Sequence, residues 1–404
     1  MKIGTFRPET NELMSNTFPK KGLLLLAIIL ISLNLRPAIT AVGPLIGEIR
    51  STTGLSNSAI GLLTTLPVLA FGLFSILTPL FTRRIGTEGT MTLALSLLTG
   101  GILIRVIPSI PMLFLGTLIL GTGIALGNVL LPGIVKKQFP QKAGLLTGIY
   151  SSMLGMGAAI ASGVSVPISE GLNVGWRWTL ASFAAFSLLA LFSWLPQMKQ
   201  NMPVVMKKSF RQSLSHLSGS ALAWHVAIFV GLQSLSFYTV ITWLPEILIE
   251  RGMNSQQAGW MLAMMQGVGV IGTFLLPSWA SRRENQKQTV IIIVLFEVIS
   301  ITGLLIPSAP LPAFWVSLLG FCLGGSFGLA LLFIVVRSPD SDTANELSGM
   351  SQSVGYLLAA TGPVLFGALF DWTGDWTIPI GFLLLIALVK LWSGLEAGKN
   401  RVIS

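Results

Sequence analysis

Charge is scarce in this chain. Of its 404 residues, 10% are Asp, Glu, Lys or Arg, against about 25% in a soluble globular protein. Most side chains must therefore face something other than water. Cysteine is almost absent: Cys322 is the single one, so no disulfide forms within the chain and no cysteine cluster binds a metal. The two histidines, His216 and His225, are too few and too poorly placed for a metal site. No Gly-rich stretch ends in Gly-Lys-Ser/Thr, which argues against direct drive by ATP. No cofactor is expected.

Apolar residues fill the remaining space. The chain is 52% hydrophobic with a mean hydropathy of +0.78. Its apolar residues come in runs bounded by charges, loops or prolines, many near the roughly 20 residues that cross a bilayer as a helix. The formal charge of +10 suggests nucleic acid in a soluble protein. Here the basic residues sit in short loops between apolar runs, as membrane orientation requires, and no RNA or DNA motif accompanies them. Lys20 and Lys21 before the first run imitate a signal peptide, but many equivalent runs follow, so this one is read as the first membrane span.

Twelve spans are expected, at 22–47, 57–81, 88–107, 110–135, 142–167, 176–195, 222–247, 255–279, 288–307, 311–336, 346–369 and 376–395, each end good to a few residues. Spans 3–4 and 9–10 are joined by turns bearing Pro108 and Pro111, and Pro307 and Pro310. The expected organisation is an N-terminal tail (1–21), a six-helix bundle (22–195), a polar central loop (196–221), a second bundle (222–395) and a C-terminal tail (396–404). Counted from a cytoplasmic N-terminus, twenty of the 25 Lys/Arg fall on the cytoplasmic side, Arg337 and Lys390 among them. Outside loops hold only Arg50, Arg177 and Arg251. That bias predicts an even number of spans with the tails and the central loop cytoplasmic.

The two halves repeat each other. Ala143-x-x-Leu146-Thr147-Gly148 matches Ala344-x-x-Leu347-Ser348-Gly349, an offset of 201. Gly123-x-x-x-Gly127 matches Gly324-x-x-x-Gly328 at the same offset, and Gly61 and Pro79 match Gly259 and Pro277 at 198. Several matches at nearly one offset, each at the same place in its span, indicate a parallel duplication about an axis along the membrane normal. The expected fold class is an all-α membrane protein of twelve transmembrane helices in two pseudo-symmetric six-helix bundles.

Arg36 is the sharpest functional signal. It lies about fifteen residues into span 1, where a charge costs about 2.5–3.5 kcal/mol to insert. It should face protein or a water-filled cavity, either anchoring an anionic or polar solute through its donor fork or pairing structurally with carbonyls or a carboxylate. Helical spacing puts Ser32, Arg36, Thr40 and Gly43 on one face, with Pro37 positioned to bend the helix. Other mid-span polar residues suit the wall of a cavity: Asn128, Tyr150, Ser151, Gln233, Tyr238, Gln266, Gln352 and Tyr356. Hydrogen bonding between helices is the alternative role for each. Glu297 is the one carboxylate clearly within a span. It is a candidate coupling site or, on a peripheral span, an ion-paired structural residue. Glu48 and Glu246, near outer span ends, are expected to be solvated.

These features resemble the major facilitator superfamily over nearly the whole chain. The loop between spans 2 and 3, Pro79-x-x-x-Arg83-Arg84-x-Gly86, is similar to a worn form of the superfamily's gating signature. Arg84 and Gly86 match, whereas Arg83 stands in place of its Asp. Leu35-Arg36-Pro37, Gly61 to Pro67, Gly123 to Pro132 and Leu145 to Ser151 resemble the group of cyanate porters and 2-nitroimidazole exporters. The resemblance implies a secondary carrier of the bacterial cytoplasmic membrane, working on a cyanate-like anion or a nitro-heterocycle. It leaves uptake and export of toxic compounds both open. The partners expected are the lipid bilayer and a small-molecule solute, with the chain acting as a monomer. An intramembrane enzyme would need paired carboxylates, metal ligands or a Ser/His pair at membrane depth, and no such set is visible. A sensor would need a larger signalling domain than the central loop.

Overall fold

The computed structural model describes residues 18–200, 217–306, 311–339 and 341–403. The expected tail up to residue 17, most of the central loop (201–216) and the turn 307–310 lie outside the described residues. Within them, twelve helices are long and apolar enough to cross a membrane. Helix is the form such runs must take, because lipid offers no partner for backbone N–H and C=O groups.

Helix α1 is broken into Phe18–Asn34, Pro37–Thr40, a short turn Gly43–Leu45, and Ile46–Thr53. The next stretch, Asn57–Ile104, is interrupted at Gly86 (φ 75°, ψ 171°). A left-handed φ of this kind favours glycine, and it separates α2 (57–85) from α3 (87–104). The others are α4 (Ile110–Gln138), α5 (Ala143–Ser169), α6 (Gly175–Trp194), α7 (Ala221–Glu250), α8 (Ser255–Ala280), α9 (Lys287–Leu305), α10 (Pro312–Val336), α11 (Ser341–Thr373) and α12 (Thr377–Ala397). Their starts carry local signals. The Ser56 hydroxyl accepts from Ala59 N, and Asn254 and Gln257 form a reciprocal capping box at α8.

Two charges counted to the cytoplasmic side are inside the protein. Lys390 is fully buried in α12. Arg337, just beyond α10, is 2% exposed; its Nε donates to Ala397 O at 2.7 Å and a second guanidinium nitrogen donates to Gln286 Oε1. Desolvation lowers its pKa. The chain after α12 does not dangle at once: Ile403 is buried and its N–H donates to Arg337 O at 2.8 Å.

Within each half the helices pack through small residues. Across the middle, α2 lies along α11 and α5 along α8. These contacts extend to the face opposite the chain ends, called here the far face. A Cβ on Gly61 of α2 would stand 2.6 Å from Pro363 O of α11, so glycine is needed for that approach. Thr242 Oγ1 donates to Thr64 Oγ1 at 2.9 Å, and Thr65 Oγ1 donates to Ala360 O at 2.7 Å. Arg50 forms a salt bridge with Glu246. At the end of α11, the Asp371 carboxylate accepts four hydrogen bonds from the start of α2: Asn57 N (3.1 Å) and Nδ2 (2.8 Å), and Ser58 N (2.8 Å) and Oγ (2.6 Å).

Glu246 is therefore paired rather than simply solvated. So is Glu48, which accepts from Trp176 N at 2.9 Å and from the Ser169 hydroxyl. A carboxylate at the first N–H groups of α6 is where the helix dipole favours one.

Candidate functional site

The cavity between the halves grows out of the break in α1. Pro37 has no N–H, so the carbonyl of Leu33, four residues earlier, loses its helical partner. That carbonyl abuts Gly157 of α5, where a Cβ would stand 2.3 Å away. Leu35 and Arg36 fall outside the helical segments, with Arg36 at φ −118° and ψ −34°. Arg105, at the end of α3, fixes the segment beyond the break by donating from Nη1 to Ala38 O at 2.9 Å.

The break changes which residues share a face. Ser32 and Thr40 do not line the cavity with Arg36, contrary to the helical-spacing expectation. Ser32 Oγ donates to Ile28 O at 2.7 Å. The Thr40 hydroxyl is buried and directed at Ala158 O of α5 (3.2 Å) and Arg36 O (3.3 Å). The continuous helix that the spacing assumed is absent between Asn34 and Pro37.

A cavity of about 1470 Å³, including its open mouth, lies between the two halves. Its wall draws on the parts of α4, α5, α10 and α11 nearer the chain ends, while the far-face contacts close it on the other side. Arg36, Asn128, Tyr150, Gln233, Tyr238, Gln266, Gln352 and Tyr356 all line it. Among the described residues lining it, Arg36 is the one formal charge and no carboxylate is present.

Arg36 is neither paired with a carboxylate nor spent on carbonyls in any contact among the described residues. Its guanidinium carbon stands 5.0 Å from the centroid of the Phe237 ring and 6.0 Å from that of Phe327. Aromatic faces attract a cation without consuming its N–H donors in the ring plane. Phe71 of α2 braces Tyr356 (5.5 Å between centroids) and Tyr238 (6.3 Å). The site is thus a half-buried cation within an aromatic wall, reached through the open face.

The polar residues around it differ in how far they are committed. Gln233 Nε2 donates to Ser234 Oγ at 2.6 Å, and Gln352 Nε2 donates to Ser348 Oγ at 2.9 Å, so both amide oxygens stay available. Gln266 Nε2 reaches across to α5 and donates to Ser162 Oγ at 2.7 Å.

Besides Ser32 and Thr40, the loop residues Arg83, Arg84 and Gly86 and the carboxylate Glu297 lie away from the cavity wall. Arg83 and Arg84 are exposed at the end of α2, beside the break at Gly86. Glu297 of α9 is fully buried in a salt bridge with Lys390 of α12. The two rings beside Arg36, Phe237 and Phe327, were not anticipated. Among 22 phenylalanines, nothing in the sequence separates a cavity-facing ring from a lipid-facing one. Asp371 was missed for a related reason, because it looks like an ordinary residue at the end of a span.

Comparison with known proteins agrees with this architecture. The chain is 42% identical over 381 residues to the uncharacterized transporter YycB of Bacillus subtilis (strain 168), covering 94% of each chain. It is 40% identical over 381 residues to the 2-nitroimidazole transporter of Escherichia coli (strain K12), covering 94% of this chain and 96% of that one. It is 30% identical over 364 residues to the cyanate transport protein CynX of Escherichia coli (strain K12), covering 89% and 93%. Its fold matches the crystal structure of a bacterial homolog to the human lysosomal transporter Spinster, in an inward-facing and unoccupied conformation, with a TM-score of 0.75 at 16% identity, covering 95% of this chain and 99% of that one. Residues 24–363 match the Major Facilitator Superfamily. With twelve spans, two packed halves and a cavity between them, the chain belongs to the Major Facilitator Superfamily and is a secondary transporter of small solutes.

Proposed function

We propose that this transporter moves a small planar anion or nitro-heterocycle across the bacterial cytoplasmic membrane by alternating access, with Arg36 as its main solute anchor. The observation that carries the reading is the Arg36 guanidinium, set against Phe237 and Phe327 in the cavity with no carboxylate beside it. A guanidinium fork suits paired oxygens, as in a carboxylate or nitro group, and flanking rings suit a flat solute. The name of one relative, a 2-nitroimidazole transporter, is consistent with that chemistry, and the cyanate of another, a linear anion with one oxygen, would meet the same guanidinium by charge alone.

The chain acts as a monomer, with both termini in the cytoplasm. With Arg337 and Lys390 discounted because they are buried, the Lys/Arg bias toward the face with the chain ends persists. In that orientation the far face is extracytoplasmic and closed, and the cavity opens to the cytoplasm. Asn128, Tyr150, Gln233, Tyr238, Gln352 and Tyr356 complete the solute wall. Arg83, Arg84 and Gly86 form the cytoplasmic turn that re-closes when the halves rock. Export of a toxic compound uses the same geometry in the other direction.

The test is counterflow of 2-nitroimidazole and of cyanate in proteoliposomes. Arg36→Ala, with normal membrane insertion verified, is expected to lower solute affinity about 10- to 100-fold, the loss of a charge-assisted bond. Unchanged flux of every transported solute in R36A would end the anchor claim.

A further inference from the structure

We propose that Gln266 is a second solute anchor, accepting a hydrogen bond through Oε1, so that the preferred solute carries an N–H or O–H donor as well as an oxygen-rich group. The inference rests on the reading that Arg36 holds that oxygen-rich group.

The argument begins with the direction of the amide. Three atoms converge on its nitrogen: Ser162 Oγ at 2.7 Å, Ala158 O at 3.3 Å and Leu262 O at 3.4 Å. Two of these are carbonyls, which only accept. The third is a hydroxyl whose single proton is directed at Ala158 O (3.0 Å) or Thr40 O (3.2 Å), so its oxygen accepts from Gln266. A flipped amide would set its oxygen against two carbonyls and require the Ser162 hydroxyl to turn away from Ala158 O and Thr40 O. Nε2 therefore faces α5, and the orientation follows from the network itself.

This leaves Oε1. It is buried, has no hydrogen-bond partner among the described residues, and belongs to a side chain 5% exposed in the cavity wall. Buried acceptors are nearly always satisfied in native proteins, by protein or by ordered water, and under this proposal a solute donor takes this one. Arg36 supplies donors from one half of the molecule, and Gln266 supplies an acceptor from the other. Together they supply complementary chemistry for a molecule with a nitro or carboxylate group at one position and a ring N–H or hydroxyl at another. A small anion without a donor, such as cyanate, satisfies Arg36 and leaves Oε1 unpaired. The same amide holds α8 to α5 through Ser162, so a solute at Oε1 sits on the seam between the halves.

The experiment compares binding of 2-nitroimidazole with that of its N-methyl analogue, which lacks the ring donor, by competition in proteoliposomes. The wild-type protein is expected to prefer the N–H compound by about tenfold, the worth of one hydrogen bond. In Gln266→Met the ratio is expected to fall to near one, with Arg36 dependence retained. Gln266→Asn, which keeps an amide but withdraws it by one methylene, is expected to compress the ratio similarly and serves if Q266M does not fold. A wild-type ratio near one, or a tenfold ratio that survives both folded variants, overturns the role of Gln266 while leaving Arg36 in place. Binding of neither compound by wild-type protein overturns this inference together with the solute class it rests on.

Discussion

Replacing Asp371 by Asn should loosen the far face and shift the transporter toward the state open on that side. The carboxylate gathers four hydrogen bonds from the first two residues of α2, and its charge complements the N-terminal end of that helix. It is also the point where the end of α11 grips the start of α2, so the bonds must break when the halves separate there. An Asn keeps one acceptor oxygen and loses the charge and the second oxygen. Bonds to a charged group contribute about 1.5–3 kcal/mol each when buried. Asp371 is exposed, and solvent screening reduces that to about 1.4 kcal/mol for the substitution as a whole, or roughly tenfold in the equilibrium between closed and open far face. The assay is distance measurement by spin labels at Ser51 and Gln256, exposed positions on the two halves, in nanodiscs and in a Cys322→Ser background. The wild-type protein should give one dominant short distance, and D371N should raise a longer one about tenfold in population. An unaltered distance distribution in folded, monodisperse D371N would refute the latch.

Two further substitutions test the packing behind the site. Glu297→Ala leaves Lys390 buried without its partner and should destabilise the protein by about 3–5 kcal/mol, seen as a lowered melting temperature in detergent. The pair Glu297→Leu with Lys390→Met should restore most of that stability and keep solute accumulation. Lost gradient-driven accumulation with intact counterflow in the double variant would instead make Glu297 a coupling group. Gly157→Ala puts a methyl against the Leu33 carbonyl and should cost about 1–3 kcal/mol of stability. Because that contact supports the break at Arg36, flux should fall too, whereas a wild-type melting temperature and flux would remove the role assigned to the Leu33–Gly157 contact.

Much of this architecture is legible in the chain because the bilayer simplifies the code. Length and hydropathy identify the spans, and the paired offsets identify the halves, since both follow from composition along one dimension. The cavity was partly legible for the same reason: a polar side chain in mid-span must find water, a partner or a solute. That logic found Arg36 and all three tyrosines of the chain, Tyr150, Tyr238 and Tyr356, which line one cavity. It misplaced Thr40 because helical spacing does not survive the unwound turn before Pro37. It counted Lys390 with the cytoplasmic charges because nothing within one span reveals its partner Glu297 on another helix. Phe237, Phe327 and the Asp371 latch were not legible, because each depends on a neighbour distant in sequence.

The most direct test of the central claim is a structure of the protein with 2-nitroimidazole bound. The account predicts the nitro oxygens within hydrogen-bond distance of the Arg36 guanidinium, with the ring against Phe237 or Phe327. A solute bound between the halves but out of reach of Arg36, with its ring away from both phenylalanines, would contradict it.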